Sequence, residues 1–159
     1  MNTNTLPLKD GDSDTRFAVV VPMFNESVGA AAFIRATAPL LETFPQAPPL
    51  VIVDDGSTDQ TAYILKASSA NSSIPVSIIE FRKNFGQTAG LQAGFDYAQG
   101  DIVIAMDGDL QHDPSEIPQF IEKIEEGFDL VSGWREKRID SFWIRRLPSL
   151  FANKMMHVL

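Results

Sequence analysis

Four consecutive apolar residues, Ile102-Val-Ile-Ala105, lead almost at once into Asp107-Gly108-Asp109. A short apolar run without alternation reads as a strand buried on both faces. The two carboxylates then fall at the carboxyl edge of a sheet, where open α/β folds bind their ligands. Gly108 allows a tight turn, so both side chains can converge although alternation along an extended strand would part them. Two carboxylates this close repel each other and favour a bound cation, and oxygen donors suit Mg²⁺ or Mn²⁺. Alone, Asp-Gly-Asp is also an ordinary polar turn. The rest of the chain decides between the two.

The pattern of an apolar run closed by polar residues recurs. Phe17 to Pro22 is a first strand, ended by a proline that cannot continue the ladder. Leu50 to Val53 is a second, running into Asp54 and Asp55, and Pro75 to Phe81 is a third. Phe128 to Ser132 is a fifth, after the central run. Between them lie helical stretches. Val28 to Phe44 is Ala-rich and disturbed at Pro39, and its approach through Asn25, Glu26 and Ser27 offers capping residues. Ser57 and Gln60 have capping-box spacing and open a helix from Thr58 to about Ser69. Gln87 to Gln99 places Leu91, Phe95 and Ala98 on one face, and Pro114 suits the first turn of a helix ending at Glu126. Strand and helix alternate, which predicts an α/β, Rossmann-like, mostly parallel sheet with helices on both faces. Pro22–Glu26, Asp54–Ser57 and Asp107–Asp109 then share one edge and form one site.

At 159 residues the chain is one domain by length, and 44% apolar content is that of a folded protein. The absence of cysteine excludes disulfides and thiolate chemistry. Residues 1–16 are polar and read as a disordered leader rather than a signal peptide. No apolar run approaches the roughly 20 residues that span a bilayer, so the chain reads as soluble. The net charge of −8 is uneven: the stretch from Gly133 onward carries +4 and the remainder −12. An acidic body argues against general nucleic-acid binding, while the basic tail permits a local anion site or a membrane-surface contact. Asp140 to Leu159 mixes Phe142, Trp143, Leu147 and Phe151 with Arg145, Arg146 and Lys154, a basic amphipathic helix started or interrupted near Pro148. Leu159 falls inside that pattern without a cap, so the helix reads as incomplete and the chain as truncated.

The first loop has neither Gly-x-Gly-x-x-Gly nor a Walker-type sequence, which weighs against dinucleotide-binding and ATPase functions. A nucleotidyltransferase would want a Gly-rich loop and a basic residue there. Asp54 and Asp55 can accept hydrogen bonds from a base or ribose, and Asp107 and Asp109 can hold a metal that neutralises a diphosphate.

Val-Val-Pro-Met-Phe-Asn-Glu26, Val-Asp-Asp-Gly-Ser-Thr-Asp59, Arg-Lys-Asn-Phe-Gly-Gln87 and Asp-Gly-Asp-Leu-Gln-His-Asp-Pro114 occur in that order. Together they resemble family 2 glycosyltransferases of the GT-A fold, and within them the polyprenyl-phosphate hexosyltransferases. The likeness extends from about Val19 to Asn153. It implies a nucleotide pocket lined by Pro22, Phe24, Glu26 and Asp54, with Asp55 and Asn84 near it. Asp107 would face the nucleotide-sugar, and Asp109 and Gln111 would ligate Mg²⁺ or Mn²⁺. Phe24 as a core residue, Asn84 as a turn residue and Ser57 as a helix cap are the structural alternatives, and Ser57 is read as the cap. His112 is either a further ligand or a solvated loop histidine.

The tail sequences Ser132-Gly-Trp-Arg-Glu-Lys-Arg138 and Arg145 to Asn153 resemble the acceptor side of the same enzymes. Arg135, Arg138, Arg145 and Ser149 would surround the acceptor phosphate of a polyprenyl lipid, with Arg135 counted among the catalytic residues. Arg145, Ser149 and Asn153 are spaced by four and share a helical face. A solvated basic turn followed by a core-packing helix is the alternative. The expected organisation is a leader over 1–16, a GT-A nucleotide-sugar-binding domain over 17–139 and an acceptor-side helix over 140–159. The implied reaction is inverting transfer of a hexose from a UDP- or GDP-sugar to a polyprenyl phosphate at the cytoplasmic face of a membrane. A nucleotide-sugar-binding remnant without turnover, and a family 2 enzyme with a saccharide acceptor, are the other readings. Gly108 stands where many relatives have Ala.

Overall fold

The structure, a computed structural model, describes residues 16–110 and 113–133. Its frame is a four-stranded sheet of order β3-β2-β1-β4, built from β1 (Phe17–Met23), β2 (Leu50–Asp54), β3 (Val76–Glu80) and β4 (Ile102–Ala105). All the pairings are parallel. Helices α1 (Ala30–Leu41), α2 (Thr61–Ser69) and α3 (Gln87–Tyr97) make the crossovers. The first two connections step outward from β1 and the third steps back across it. Right-handed crossovers therefore set α1 and α2 on one face and α3 on the other. In agreement, α1 packs with α2, and α3 lies against β1 and β2. Val19, Val20, Val21, Ile52 and Val53 are fully buried, so both faces of the two inner strands are covered.

Pro22 does not end β1. The strand continues to Met23, with Pro22 in register with Val53. The backbone of Val20 points toward β4, since its carbonyl accepts from Met106 N–H at 3.1 Å. Pro22 shares that direction, and the β1–β4 ladder has already stopped at Val20 and Ala105. The missing proline N–H faces a side with no strand left to bond, so it costs nothing there.

β4 is an edge strand with alternating exposure, not one buried on both faces. Phe128 to Ser132 form no strand. The apolar face expected on α3 is also displaced: Phe95 is exposed, and the buried positions are Gly90 and Gly94. A Cβ on Gly94 would fall 2.2 Å from Val20 Cγ1, and one on Gly90 would fall 3.3 Å from Pro22 Cβ. Two glycines four apart let the helix lie directly on the strands.

The chain divides into two units at Pro118 and Gln119. The second begins within helix α4 (Ile117–Glu125), which follows a short 3₁₀ turn at Pro114–Glu116. Asp113 caps that turn by accepting from Ser115 N–H at 2.9 Å, with Pro114 in the first turn as expected. Within the second unit Gly127, at φ 103°, closes the helix, and the Phe120 ring lies 3.2 Å from where a Gly133 Cβ would sit.

Candidate active site

The order of the sheet reverses between β1 and β4, and parallel strands on either side of such a reversal splay their loops apart to leave a crevice. The loops after β1, β2 and β4 meet at this edge.

The first two are joined crosswise. Asn25 adopts φ 55°, a left-handed conformation that asparagine tolerates. Its N–H donates to Ser57 Oγ at 2.9 Å, and its Oδ1 accepts from Thr58 N–H at 2.9 Å. Ser27 N–H donates to Asp59 Oδ2 at 3.2 Å. Neither Asn25 nor Ser27 caps α1, whose N-cap is Gly29 without a side-chain bond. The capping box of Ser57 and Gln60 does not form either: α2 starts at Thr61, after Gln60, with no bond from a capping side chain. Asp59 serves that end by accepting from the Thr61 hydroxyl and from Thr61 N–H at 2.9 Å. The Thr61 hydroxyl is the main reason the Asp59 carboxyl is held down at about 2, with Thr61 N–H and Ser27 adding to it.

The two aspartates at the end of β2 are only 2% and 3% exposed. Asp54 Oδ1 accepts from both the hydroxyl and the N–H of Ser57. Asp55 reaches the loop before α3: Oδ1 accepts from Phe85 N–H at 2.7 Å and Oδ2 from Gly86 N–H at 2.8 Å. Gly56 lets this loop approach. It has φ 68°, and a Cβ there would lie 2.2 Å from the carbonyl carbon of Lys83. Arg82, Lys83, Asn84 and Phe85 are exposed along the loop, with the Lys83 ammonium 5.1 Å from the Phe85 ring centroid. Phe24 is exposed as well, so it is not a core residue.

On the other side of the crevice, Asp107 is half-buried and Asp109 exposed. Asp107 Oδ1 accepts from Gln87 Nε2, at the start of α3, at 3.0 Å. Gly108 serves space rather than conformation. Its φ is not positive, and a Cβ there would fall 2.6 Å from Met23 Cε. The left-handed residue of the turn is Leu110, at φ 60°. A Cβ on Gly29 would lie 3.6 Å from Glu26 Oε2 and 4.0 Å from the Gly108 carbonyl, so the first loop borders this turn. Pro22, Phe24, Glu26, Asp54, Asp55, Asn84, Asp107 and Asp109 thus belong to loops or strand ends of one edge. Gln111, His112, Arg135, Arg138, Arg145, Ser149 and Asn153 lie outside the described residues.

An edge at a strand-order reversal, with acids after three strands and no Gly-rich phosphate loop, is the arrangement that the sequence motifs called for. Residues 18–158 match glycosyl transferase family 2. The chain belongs to that family. It is 36% identical over 160 residues to the dodecaprenyl-phosphate galacturonate synthase of Rhizobium johnstonii, covering 98% of this chain and 47% of that protein. It is 38% identical over 136 residues to the undecaprenyl-phosphate 4-deoxy-4-formamido-L-arabinose transferase of Pseudomonas paraeruginosa, covering 86% and 40%. The chain therefore spans less than half the length of these relatives. The glucosyl-3-phosphoglycerate synthase of Mycobacterium tuberculosis, solved with UDP, shares the fold at a TM-score of 0.64 and 23% identity, covering 89% of this chain and 52% of that one. A mannosyltransferase from Pyrobaculum calidifontis, solved with GDP-Man and Mn²⁺, aligns at a TM-score of 0.51 and 25% identity, covering 60% and 28%. The family 2 chain has the GT-A fold, and the two relatives at 36% and 38% identity are named as polyprenyl-phosphate sugar transferases. Among the described residues no helix is long and apolar enough to cross a membrane.

Sequence reasoning gave no role to Gln87, and it read Asn25 and Ser57 as helix caps. Gln87 was nevertheless visible as the amide that closes Arg-Lys-Asn-Phe-Gly-Gln.

The donor chemistry of the edge fits Mg²⁺ or Mn²⁺. Asp107 and Asp109 could supply hard oxygen ligands, and among the described residues no three acids or histidines converge into a closed cage. A cation bound by one or two carboxylates takes its remaining ligands from water and phosphate oxygens, which is how Mg²⁺ is usually held.

Proposed function

We propose that this chain carries the donor side of an inverting hexosyltransferase that uses a UDP- or GDP-sugar and a polyprenyl phosphate. The observation that carries the reading is the pair Asp107 and Asp109 at the strand-order reversal, facing loops tied together around Asp54 and Asp55. The likeness to two polyprenyl-phosphate sugar transferases supports the acceptor class. UDP and GDP-Man in the structural relatives support a nucleotide-diphosphate donor without choosing its base.

In this reading Pro22, Phe24, Glu26 and Asp54 shape the nucleotide pocket, with Asp55 and Asn84 beside it. Asp107 orients the nucleotide-sugar. Asp109 with Gln111 holds the cation, which when bound neutralises charge on the departing diphosphate. Arg135, Arg138, Arg145 and Ser149 bind the acceptor phosphate, for which guanidinium forks are well shaped.

A phosphate monoester has a second pKa of about 6, so the acceptor is already a dianion near neutral pH. Its oxygen attacks the anomeric carbon directly, and the bond from that carbon to the diphosphate oxygen breaks with its electron pair. No proton has to leave the nucleophile, so the protein supplies positioning rather than a general base. Displacement from the opposite face inverts the anomeric centre. The proposed organisation remains a domain over 17–139 with an acceptor-side segment over 140–159, working at the cytoplasmic face of a membrane.

The test is transfer of label from UDP- and GDP-hexoses to a polyprenyl phosphate, extracted into organic solvent. One donor is expected to label the lipid, and Asp109→Ala to abolish the labelling. Full activity of Asp109→Ala at saturating Mn²⁺ would remove the cation assignment. Full activity of Arg145→Ala would remove Arg145 from the acceptor-phosphate site, and no labelling of the lipid from either donor would favour a saccharide acceptor.

A further inference from the structure

The loop after β1 is fastened to the loop after β2 at every second residue. The Met23 carbonyl accepts from Asp55 N–H at 2.9 Å, Asn25 N–H donates to Ser57 Oγ at 2.9 Å, and Ser27 N–H donates to Asp59 Oδ2 at 3.2 Å. The strand register ends at Met23 and Asp54, so the last two ties use side-chain acceptors in place of ladder carbonyls. Asn25 is the middle tie and the most heavily bonded. Its Oδ1 accepts from Thr58 N–H at 2.9 Å and from the Thr58 hydroxyl at 3.4 Å. At φ 55° this position wants a residue that tolerates a left-handed backbone and carries a short acceptor. Asparagine meets both needs. It does not serve α1, whose N-cap is Gly29.

Phe24 and Glu26 are the residues between the ties. The Glu26 carbonyl accepts from Gly29 N–H at 3.0 Å and Ala30 N–H at 2.8 Å, so the first turn of α1 holds its backbone from the other side. The Glu26 side chain is half-buried, and among the described residues its carboxylate has no hydrogen-bond partner. A carboxylate that is partly desolvated and still has its acceptor sites open suits a ligand's hydroxyl or N–H donors.

We infer that Asn25 is a positioning residue: by fastening the first loop to Ser57 and Thr58 it holds Glu26 where a nucleotide's donor groups meet it. The inference rests on the reading above that Glu26 lines the nucleotide pocket. The tie itself does not, and it can be measured without a ligand.

The experiment is a double-mutant cycle on the full 159-residue chain. Asn25→Gly, Glu26→Ala and the two together are titrated calorimetrically with UDP and with GDP in Mn²⁺. Glycine adopts a left-handed backbone without strain and keeps the N–H that reaches Ser57, so only the Oδ1 acceptor is removed. A neutral hydrogen bond is worth about a two- to tenfold change in an equilibrium. A nucleotide that must order the loop itself binds more weakly by up to that factor. Asn25→Gly is therefore expected to weaken binding about two- to tenfold. In the Glu26→Ala background the same change should weaken it no further, because the group that Asn25 holds is gone. Equal weakening in both backgrounds would mean that Asn25 acts independently of Glu26, and it overturns the inference. Unweakened binding by Asn25→Gly overturns it too.

Amide exchange by NMR reads the tie directly. Thr58 N–H should exchange faster in Asn25→Gly than in the wild type, and at the wild-type rate in Asn25→Asp, which keeps the acceptor. Unchanged Thr58 exchange in Asn25→Gly also overturns the inference. If Glu26→Ala binds as tightly as the wild type, or the wild type binds neither nucleotide, the pocket reading is what fails. The inference then falls with it, whatever Thr58 shows.

Discussion

Replacing Gly94 with Ala tests how closely α3 lies on the sheet. The new Cβ would fall 2.2 Å from Val20 Cγ1 and 3.4 Å from Val53 Cγ2, less than any real carbon contact in the first case. Val20 and Val53 are fully buried, so neither can turn aside without displacing its own neighbours. Overpacking of this kind costs about 1–3 kcal/mol. Alanine returns about 1 kcal/mol through its better helix propensity. For so short a contact the upper half of the overpacking range applies, which leaves a net loss of about 1–2 kcal/mol. Gly90→Ala is the internal control. Its Cβ meets Pro22 at 3.3 Å, a contact relieved by a few tenths of an ångström, so the propensity gain of up to about 1 kcal/mol dominates. With a urea slope of about 2 kcal/mol per molar, Gly94→Ala should lower the unfolding midpoint by roughly 0.5–1 M. Gly90→Ala should leave it unchanged or raise it by up to about 0.5 M. Helical circular dichroism followed through a urea titration measures both, and an unchanged slope confirms that stability alone moved. A Gly94→Ala midpoint at or above the wild type would refute the close approach.

Gly56→Ala meets two obstacles, a left-handed backbone costing about 1–2 kcal/mol and a collision with the Lys83 backbone costing about 1–3. A loss of about 2–5 kcal/mol is expected in the same urea titration. Thr37, buried in α1, has a hydroxyl with no hydrogen-bond partner. Thr37→Val keeps the shape and should raise stability by about 1 kcal/mol in thermal unfolding. The tie among Ser27, Asp59 and Thr61 favours the ionised carboxylate, so its stabilisation is complete above the unfolded pKa of about 4. It is lost as pH falls through about 2, where the folded group takes up its proton. NMR titration of the Asp59 carboxyl should show the low midpoint, and Thr61→Val should move it back toward 4.

The strands were legible because uninterrupted apolar runs have few other places to go, and β1 to β4 all formed where such runs stand. Their parallel order followed from the helices between them. What failed was local. Pro22 looked like a strand end only because the early stop of β4, which leaves its missing N–H unneeded, is not written in the residues around it. The seat of α3 was misread because the face that packs most tightly is made of glycines, which carry no hydrophobic signal. Phe128 to Ser132 had strand-like composition and formed no strand, since composition does not supply a pairing partner.

The acids of the site were legible as types and positions, but their commitments were not. Asn25 with Ser57 and Ser27 with Asp59 are pairs 32 residues apart, and Asp55 reaches 30 and 31 residues along the chain. Local spacing favoured helix caps for Asn25, Ser27 and Ser57, and tertiary partners won. The partner of Gln87 was hidden for the same reason, because its bond to Asp107 exists only once α3 brings it beside the end of β4.

The proposed function requires the acidic edge to bind a nucleotide diphosphate through a divalent cation held by Asp109. Calorimetric titration of this chain with UDP and with GDP, each with Mn²⁺ and with EDTA, tests it most directly. One nucleotide is expected to bind only with Mn²⁺ present, and Asp109→Asn, still folded by circular dichroism, to lose that dependence. Equal affinity in EDTA, or no binding of either nucleotide, would contradict the claim.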